Sequence, residues 1–203
     1  MSDQPITARD RILQAARSLF LEQGYNGSNL RDIATAANVS MGGIYHHFSS
    51  KEEIYVSLLP ATELAQRLPR VLNLFRDSAF PHNLSQIGRA IFELVRDNTT
   101  DFKLVYIDIL EFQGRNIKPI IEALYVRFAA DSRKLLAHHP EEGVLRPVHP
   151  AVFTRSIIAL FLHFYLESVM LQISLSEDIG LSEDEIADQM ADLLLHGIVV
   201  REP

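Results

Sequence analysis

The sequence LRDIATAANVSMGGIYHHF, residues 30–48, decides the fold. Its first half repeats apolar residues at the spacing of one helical face, and these are Leu30, Ile33, Ala34 and Ala37. Asn38 tolerates the left-handed backbone that ends a helix, and Ser40 is a favourable N-cap for a second one. The stretch therefore predicts two helices of about eight residues joined by a short turn, which is helix-turn-helix geometry.

The second of these helices has two unlike faces. At about 100° per residue, Met41, Ile44 and Phe48 share one side, and Tyr45 lies on its flank. The opposite side carries Gly42, Gly43, His46 and His47. Each glycine disfavours a helix by about 1 kcal/mol relative to alanine, so two on the outward face indicate close approach to another molecule. A DNA groove is one candidate for that molecule, and a merely marginal helix is the alternative.

Flanking residues extend the helical pattern in both directions. A helix over 8–23 is predicted to begin at Thr7 and stop at Gly24. Asn29 and Asp32 form a capping-box-like pair, and Ser50 and Glu53 form a capping box that opens a fourth helix. Pro60 and Pro69 are expected to kink or split that helix.

Helical patterns continue to the end of the chain, and no run alternates as a strand does. Further helices are expected near 84–98, 101–113, 116–138, 150–175 and 183–200, with Ser182 and Glu185 as another capping box. The fold class is therefore all-α. A domain boundary is expected near residue 55, between a compact three-helix unit and a larger bundle.

Composition excludes several kinds of site. The 203 residues include no Cys, which excludes disulfides, Cys-ligated zinc, iron–sulfur clusters and thiol nucleophiles. The first residues are polar and form no signal peptide, so a cytoplasmic location is expected. The apolar run 157–166 is short for a bilayer and contains a His, which favours a buried helix. The net charge of −7 argues against nucleic-acid binding by bulk charge.

A dense set of residues carries a family resemblance: Leu30-Arg31-Asp32-Ile33-Ala34, Ala37-Asn38-Val39-Ser40, Gly43-Ile44-Tyr45-His46-His47-Phe48 and Lys51-Glu52-Glu53. With them, residues 7–58 resemble the N-terminal domain of TetR-family transcriptional regulators. The resemblance implies a three-helix helix-turn-helix DNA-binding domain, residues 1–55. It also implies that helix 4 joins this domain to a helical effector-binding and dimerisation bundle, residues 56–203. Asn38 departs from the family, which mostly has Gly there.

The resemblance also implies roles for single residues. Tyr45 and Lys51 would contact phosphates, Ser28 and Ser40 would contact the DNA backbone, and Arg31 would reach a base or a phosphate. Base edges would face Met41, Gly42, Gly43 and His46, with His47 against the backbone or a base edge. Alternatives stay open: Tyr45 as a core aromatic, Ser28 and Ser40 as caps alone, and the histidines as a solvated helix end or a metal site.

The N-terminal domain is not basic. Residues 1–55 hold five basic residues, Arg9, Arg11, Arg17, Arg31 and Lys51. They hold six acidic ones, Asp3, Asp10, Glu22, Asp32, Glu52 and Glu53. Affinity for DNA must then come from local placement and two-fold duplication. The acidic balance, together with the missing side chain at Gly42, motivates an alternative function, a helical ligand- or protein-binding module that has lost DNA binding.

The larger segment lacks a coherent catalytic set. It has no phosphate loop, His-Glu-x-x-His motif or nucleophile elbow, so no enzyme, cofactor or metal is expected. His163 and Glu167 are spaced i, i+4, and a helical enzyme using them is a second alternative. Polar tips on apolar faces suggest ligand-binding candidates at Tyr106, Gln113, Arg127, His163 and Tyr165. The implied effector is a small, largely apolar molecule.

The last two helices predict self-association. The helix at 150–175 is apolar nearly all round, and a single bundle interior cannot cover every face. The helix at 183–200 carries an apolar stripe of Ile186, Met190, Leu193, Leu194 and Ile198. We expect a four-helix homodimer interface, with Phe161 and Leu194 at apolar positions within it. The overall expectation is a ligand-responsive repressor that binds palindromic operator DNA as a homodimer and is released by its effector.

Overall fold

The structure, a computed structural model, describes residues 6–59, 61–75, 77, 79–123, 148–173 and 180–198. Within these ranges the regular elements are helices and no strand occurs, which confirms the all-α fold class. The helices are α1 (Ala8–Gly27), α2 (Leu30–Ala36), α3 (Met41–His47), α4 (Lys51–Leu58), α5 (Ala61–Leu74), α6 (Leu84–Asp97), α7 (Thr99–Glu111), α8 (Pro150–Leu171) and α9 (Glu183–Ile198). Residues 118–123 are also helical, and the rest of the predicted 116–138 helix lies outside the described residues.

The predicted start of α1 at Thr7 is confirmed. The predicted stop at Gly24 is confirmed only in part. The Thr7 hydroxyl accepts from Asp10 N, and the Asp10 carboxylate accepts from Thr7 N in return. The Asp10 carboxylate also accepts from the Thr7 hydroxyl at 2.6 Å, and this bond, together with the one from Thr7 N, lowers the pKa of Asp10. Gly24 adopts φ +75° and breaks the helix, yet helical structure resumes up to Gly27. The Gly24 break lies beside the Glu111 carboxylate.

The turn between α2 and α3 forms as the sequence indicates. Asn29 Oδ1 accepts from the amides of Arg31 and Asp32, which caps α2. Asn38 takes the left-handed conformation with φ +52°. Ser40 Oγ accepts from Gly43 N at 3.1 Å and caps α3. The helix-turn-helix is therefore held by short-range caps that can be identified from residue type.

The start of α4 follows the prediction in part. Ser50 Oγ accepts from Glu53 N at 3.0 Å, as a capping box requires. The Glu53 carboxylate instead accepts from Ser49 N and Ser49 Oγ, both at 2.6 Å, which lowers the pKa of Glu53. Helices α4 and α5 are separate, so the predicted split of the stretch is confirmed. Pro69 lies inside α5 rather than ending it.

The chain divides into two compact units. The first joins the chain up to Ala61 with Thr100–Ile120, and the second joins Thr62–Thr99 with the chain from Ile121 onward. The first unit thus extends beyond residue 55 and takes in α7. Tyr55 explains why, because its ring is fully buried and its hydroxyl donates to Leu104 O at 2.6 Å. The core of the first unit is formed by Ile12, Phe20, Ile33, Ile44, Ile54, Tyr55 and Leu104.

The second unit is built on α6, which packs against α8 and α9. A stripe of α8 is buried, formed by Phe153, Ile157, Phe161, Tyr165 and Leu166. Gly88 of α6 admits the Phe161 ring, because a Cβ there would lie 2.6 Å from Phe161 Cε1. By length and composition Val152–Leu171 could cross a membrane, a test that core helices of soluble proteins also pass. The buried stripe matches the expectation of a core helix.

Candidate nucleic-acid interface

Helix α3 has one buried face and one largely exposed face. Ile44 and Phe48 are buried in the core of the first unit, and Met41 is half-buried. Tyr45 is 58% exposed and therefore is not a core aromatic, and His46 beside it is exposed as well. We call the surface formed by residues 42, 43, 45 and 46 the outer face of α3.

Packing within the protein does not require glycine at position 42. A Cβ at Gly42 would have its nearest neighbour at 3.7 Å, an ordinary contact with Ser40 Oγ. At Gly43 a Cβ would lie 3.3 Å from Val39 Cβ, a tight but adjustable contact. The two glycines leave the outer face slim and free of side-chain bulk.

The two histidines are the last residues of α3. The rings of His46 and His47 lie 4.8 Å apart between centroids and meet edge to face. His47 is half-buried. In the parts of the chain that the structure describes, no group of three or more His, Cys, Asp or Glu side chains is placed to hold a metal ion.

Lys51 lies at the start of α4 and is engaged inside the protein. Its Nζ donates to Tyr25 O at 2.7 Å and to Ser28 O at 2.8 Å, and it lies 4.0 Å from the centroid of the Tyr25 ring. Burial lowers the pKa of Lys51, and the charge of Glu111 acts in the opposite direction. Two of its three hydrogens close the end of α1, which leaves one for a phosphate.

The two predicted serine contacts are placed differently. Ser28 is buried, and its hydroxyl donates to Tyr25 O at 2.9 Å, so its side chain is a cap and does not reach the outer surface. Ser40 is exposed and caps α3 through its hydroxyl. The residue type indicated polar contacts at both positions, but only burial distinguishes an internal partner from an external one.

Most basic residues of the first sixty hold the fold together. Arg11 donates to Ala37 O, and Arg17 forms an ion pair with Asp101 at 3.1 Å. Arg9 lies over the Phe48 ring at 5.1 Å from its centroid. Arg31 is exposed on α2. Among the basic residues of the described range 6–59, its side chain alone has no intramolecular partner.

Sequence reasoning missed Glu111, the last residue of α7. Its carboxylate accepts from Tyr25 N at 3.0 Å and from Asn26 N at 2.6 Å. The Phe112 ring next to it packs on Tyr25 and Tyr55, with centroids 4.4 and 4.8 Å away. These partners are more than fifty residues apart in sequence, and no helical spacing or capping pattern connects them.

The described ligand-binding candidates are divided between the two units. Tyr106 and Gln113 belong to the first unit and are exposed, and His163 is exposed on α8 beside an exposed Glu167. Arg127 lies outside the described residues. A polar tip on an apolar helix face does not show whether that face turns inward, so these positions stay predictions.

Tyr165 is the candidate that lines a cavity. The cavity has a volume of about 310 Å³ and lies in the second unit, with walls that include Phe92, Arg96, Phe164, Ser168, Val169 and Ile173. Burial, together with the charge of Glu183, raises the pKa of Tyr165 to about 12. Its hydroxyl is buried and has no hydrogen-bond partner among the described residues.

The expected interface positions are corrected in one respect. Phe161 is fully buried against Gly88 within the chain, so it cannot serve as an interface residue. Leu194 is half-buried, whereas Leu193 beside it is 74% exposed. On α8 the exposed apolar side chains are Val152, Leu160 and Leu171. Helices α8 and α9 therefore do expose apolar side chains, but these belong to residues other than Phe161.

Comparisons with known proteins agree on one class. The sequence profile of bacterial regulatory proteins of the tetR family matches residues 12–58. The HTH-type transcriptional repressor AcnR of Corynebacterium efficiens is 38% identical over 178 residues, which covers 83% of this chain and 80% of the relative. The likeness therefore extends well beyond the helix-turn-helix.

Solved structures show the same architecture. The TetR-family transcriptional regulator PfmR of Thermus thermophilus is similar with a TM-score of 0.64 and 27% identity, covering 97% of this chain and 99% of that one. AibR, solved with isovaleryl coenzyme A and operator DNA, is similar with a TM-score of 0.60 and 25% identity, covering 93% and 98%.

Proposed function

The chain belongs to the TetR family of bacterial regulatory proteins, and from that premise we propose that it is a repressor that binds palindromic operator DNA as a homodimer and is released by a small-molecule effector. The relative AcnR is a transcriptional repressor, which supports the class. The observation that carries the proposal is the outer face of α3, which is bare while the opposite face of the same helix is buried.

At the DNA, the outer face would enter the major groove. Glycines at 42 and 43 let the helix approach base edges, and His46 supplies a hydrogen-bonding group there. The exposed Tyr45 hydroxyl and the remaining Lys51 hydrogen would contact phosphates, which position the protein without reading sequence. Arg31 has a free guanidinium, the group best suited to guanine or phosphate.

Dimerisation would use the open apolar surface of α8 and α9. Leu193 is 74% exposed and Leu171 is 64% exposed, and side chains of this kind favour burial against a second copy. An isologous interface between two copies presents two α3 helices related by a two-fold axis. The operator half-sites would then be inverted repeats about one helical turn or slightly more apart.

The effector would bind in the second unit. The 310 Å³ cavity is large enough for a small molecule and is walled mainly by aromatic and aliphatic side chains, which suits a small, largely apolar compound. Release from DNA requires that the effector favour a state with lower operator affinity, a coupling of about 1–3 kcal/mol. We place the protein in the cytoplasm, where its operator is.

Selection of bound duplexes from a random pool tests the proposal. Wild type should enrich an inverted repeat, and sedimentation at micromolar concentration should show a dimer. Enrichment without inverted symmetry would contradict the two-fold geometry, and a stable monomer would contradict the interface. Failure to enrich any duplex would favour the alternative, a ligand- or protein-binding module that has lost DNA binding.

A further inference from the structure

Residues 24–28, which we call the α1 joint, are held by two charged side chains of opposite sign. The amides of Tyr25 and Asn26 donate to the two carboxylate oxygens of Glu111, at the end of α7. The carbonyls of Tyr25 and Ser28 accept from Lys51 Nζ, at the start of α4. The α1 joint is thus bound through its own backbone to two other helices.

Gly24 makes room for this arrangement. Its φ of +75° turns the chain out of α1, and a Cβ at this position would lie 2.6 Å from Glu111 Oε1. A side chain there would displace the carboxylate from the two amides. The glycine therefore serves both the backbone turn and the close approach of α7.

The α1 joint leads directly into the reading element. Ser28 is followed by Asn29, the N-cap of α2, and α2 is followed by the turn and α3. The position of the α1 joint and of the neighbouring α4 relative to α7 is also supported by the Phe112 ring on Tyr25 and by the ion pair of Arg115 with Glu52. Among these contacts, Glu111 alone bonds to the α1 joint through two amides at once.

We propose that Glu111 is a positioning residue that fixes the orientation of α1–α3 on α7 and thereby sets the half-site spacing that the dimer accepts. The proposal rests on the proposed function. Two bonds from one carboxylate restrain both the direction and the rotation of the backbone they grip, whereas a single bond leaves a rotation free. In a dimer, a rotational freedom in each copy widens the range of distances between the two α3 helices.

The test compares Glu111→Gln with wild type on three duplexes: the selected operator, the operator with one base pair added between half-sites, and the operator with one removed. The amide oxygen of Gln accepts from one backbone N–H, and its NH2 group cannot accept from the other. We expect affinity for the operator to fall about tenfold, as for loss of a charge-assisted bond, while affinity for the altered spacings falls little. Glu22→Gln, an equal charge change at an exposed position of α1, should keep the wild-type preference.

Any outcome other than a weaker preference for the wild-type half-site spacing overturns the proposal. A loss of affinity that is equal on all three duplexes would assign Glu111 a structural role only, and an unchanged affinity for all three would assign it no role. Should Glu111→Gln fail to fold, Glu111→Asp keeps the charge but shortens the reach, and it should weaken the spacing preference in the same way. Loss of folding in both variants would also overturn it. Failure of wild type to select DNA would instead contradict the proposed function and is seen before any variant is made.

Discussion

The outer face of α3 and the α1 joint lie in the same compact unit but differ in the partners of their polar groups. Those of the joint are hydrogen-bonded within the protein, whereas those of the outer face are exposed to solvent. At the joint, two backbone amides donate to the Glu111 carboxylate, and two backbone carbonyls accept from the Lys51 ammonium. On the outer face, Tyr45 and His46 are open to solvent and the first turn carries glycine. Substitutions on the outer face should therefore change binding with little effect on folding, and those at the joint should change both.

The largest expected effect is the loss of DNA binding in Gly43→Glu. The new carboxylate would add bulk and negative charge on the face that we propose to meet the DNA, while the 3.3 Å contact with Val39 Cβ needs only a small adjustment. Gel shift on the selected operator should show no complex, with a melting temperature close to wild type. A variant that binds normally would show that α3 is not the reading element.

A smaller effect is expected from Arg31→Ala. The side chain is exposed without an intramolecular partner, so its removal should leave stability within about 0.5 kcal/mol. One lost contact to a base or phosphate is worth about 1–3 kcal/mol, which predicts a drop of about tenfold or more in operator affinity. Arg17→Ala serves as the comparison, because it breaks the ion pair with Asp101 and should lower stability instead. Titrations at several salt concentrations and thermal melts separate the two.

A paired comparison of Lys51→Ala with Tyr45→Phe sharpens the contrast further. Lys51→Ala removes two charged hydrogen bonds at the joint and should lower stability by about 1–3 kcal/mol, besides weakening binding to all duplexes alike. Tyr45→Phe removes an exposed hydroxyl and should weaken binding several-fold with stability unchanged. Equal stability loss in both variants would erase the distinction between the two regions.

The smallest expected effect has opposite signs in folding and binding. Gly42→Ala should stabilise the protein by up to about 1 kcal/mol, because alanine favours helix and its Cβ meets ordinary contacts. The added methyl group should still weaken operator binding a few-fold by holding α3 away from the groove. Chemical denaturation and operator titration on the same preparation measure both. Increased stability with unchanged affinity would show that position 42 does not approach DNA.

Features set by neighbours in sequence were predictable. The caps at Thr7, Asn29, Ser40 and Ser182 follow from residue type, because a short polar side chain reaches amides two or three residues away. The left-handed turn at Asn38 follows in the same way. These local signals sufficed for the helix-turn-helix and for the all-α class.

Features that depend on distant partners were not predictable. Glu111 and Tyr25 are 86 residues apart, and Arg17 and Asp101 are 84 residues apart. Helical periodicity shows that a face exists but not which helix covers it, so Phe161 was assigned to an interface although it packs on Gly88. The same limit applies to Ser28, whose hydroxyl is turned inward.

The close fit of Gly88 beneath the Phe161 ring has a genetic consequence. A random substitution at position 88 forces a side chain to within 2.6 Å of that ring, so such alleles should appear as temperature-sensitive loss of repression, far from any DNA contact. Relief should come from a second change that shrinks the ring, such as Phe161→Leu. Second-site revertants of a Gly88→Ala strain are therefore expected to cluster at position 161. Positions 88 and 161 should then change together in evolution rather than independently.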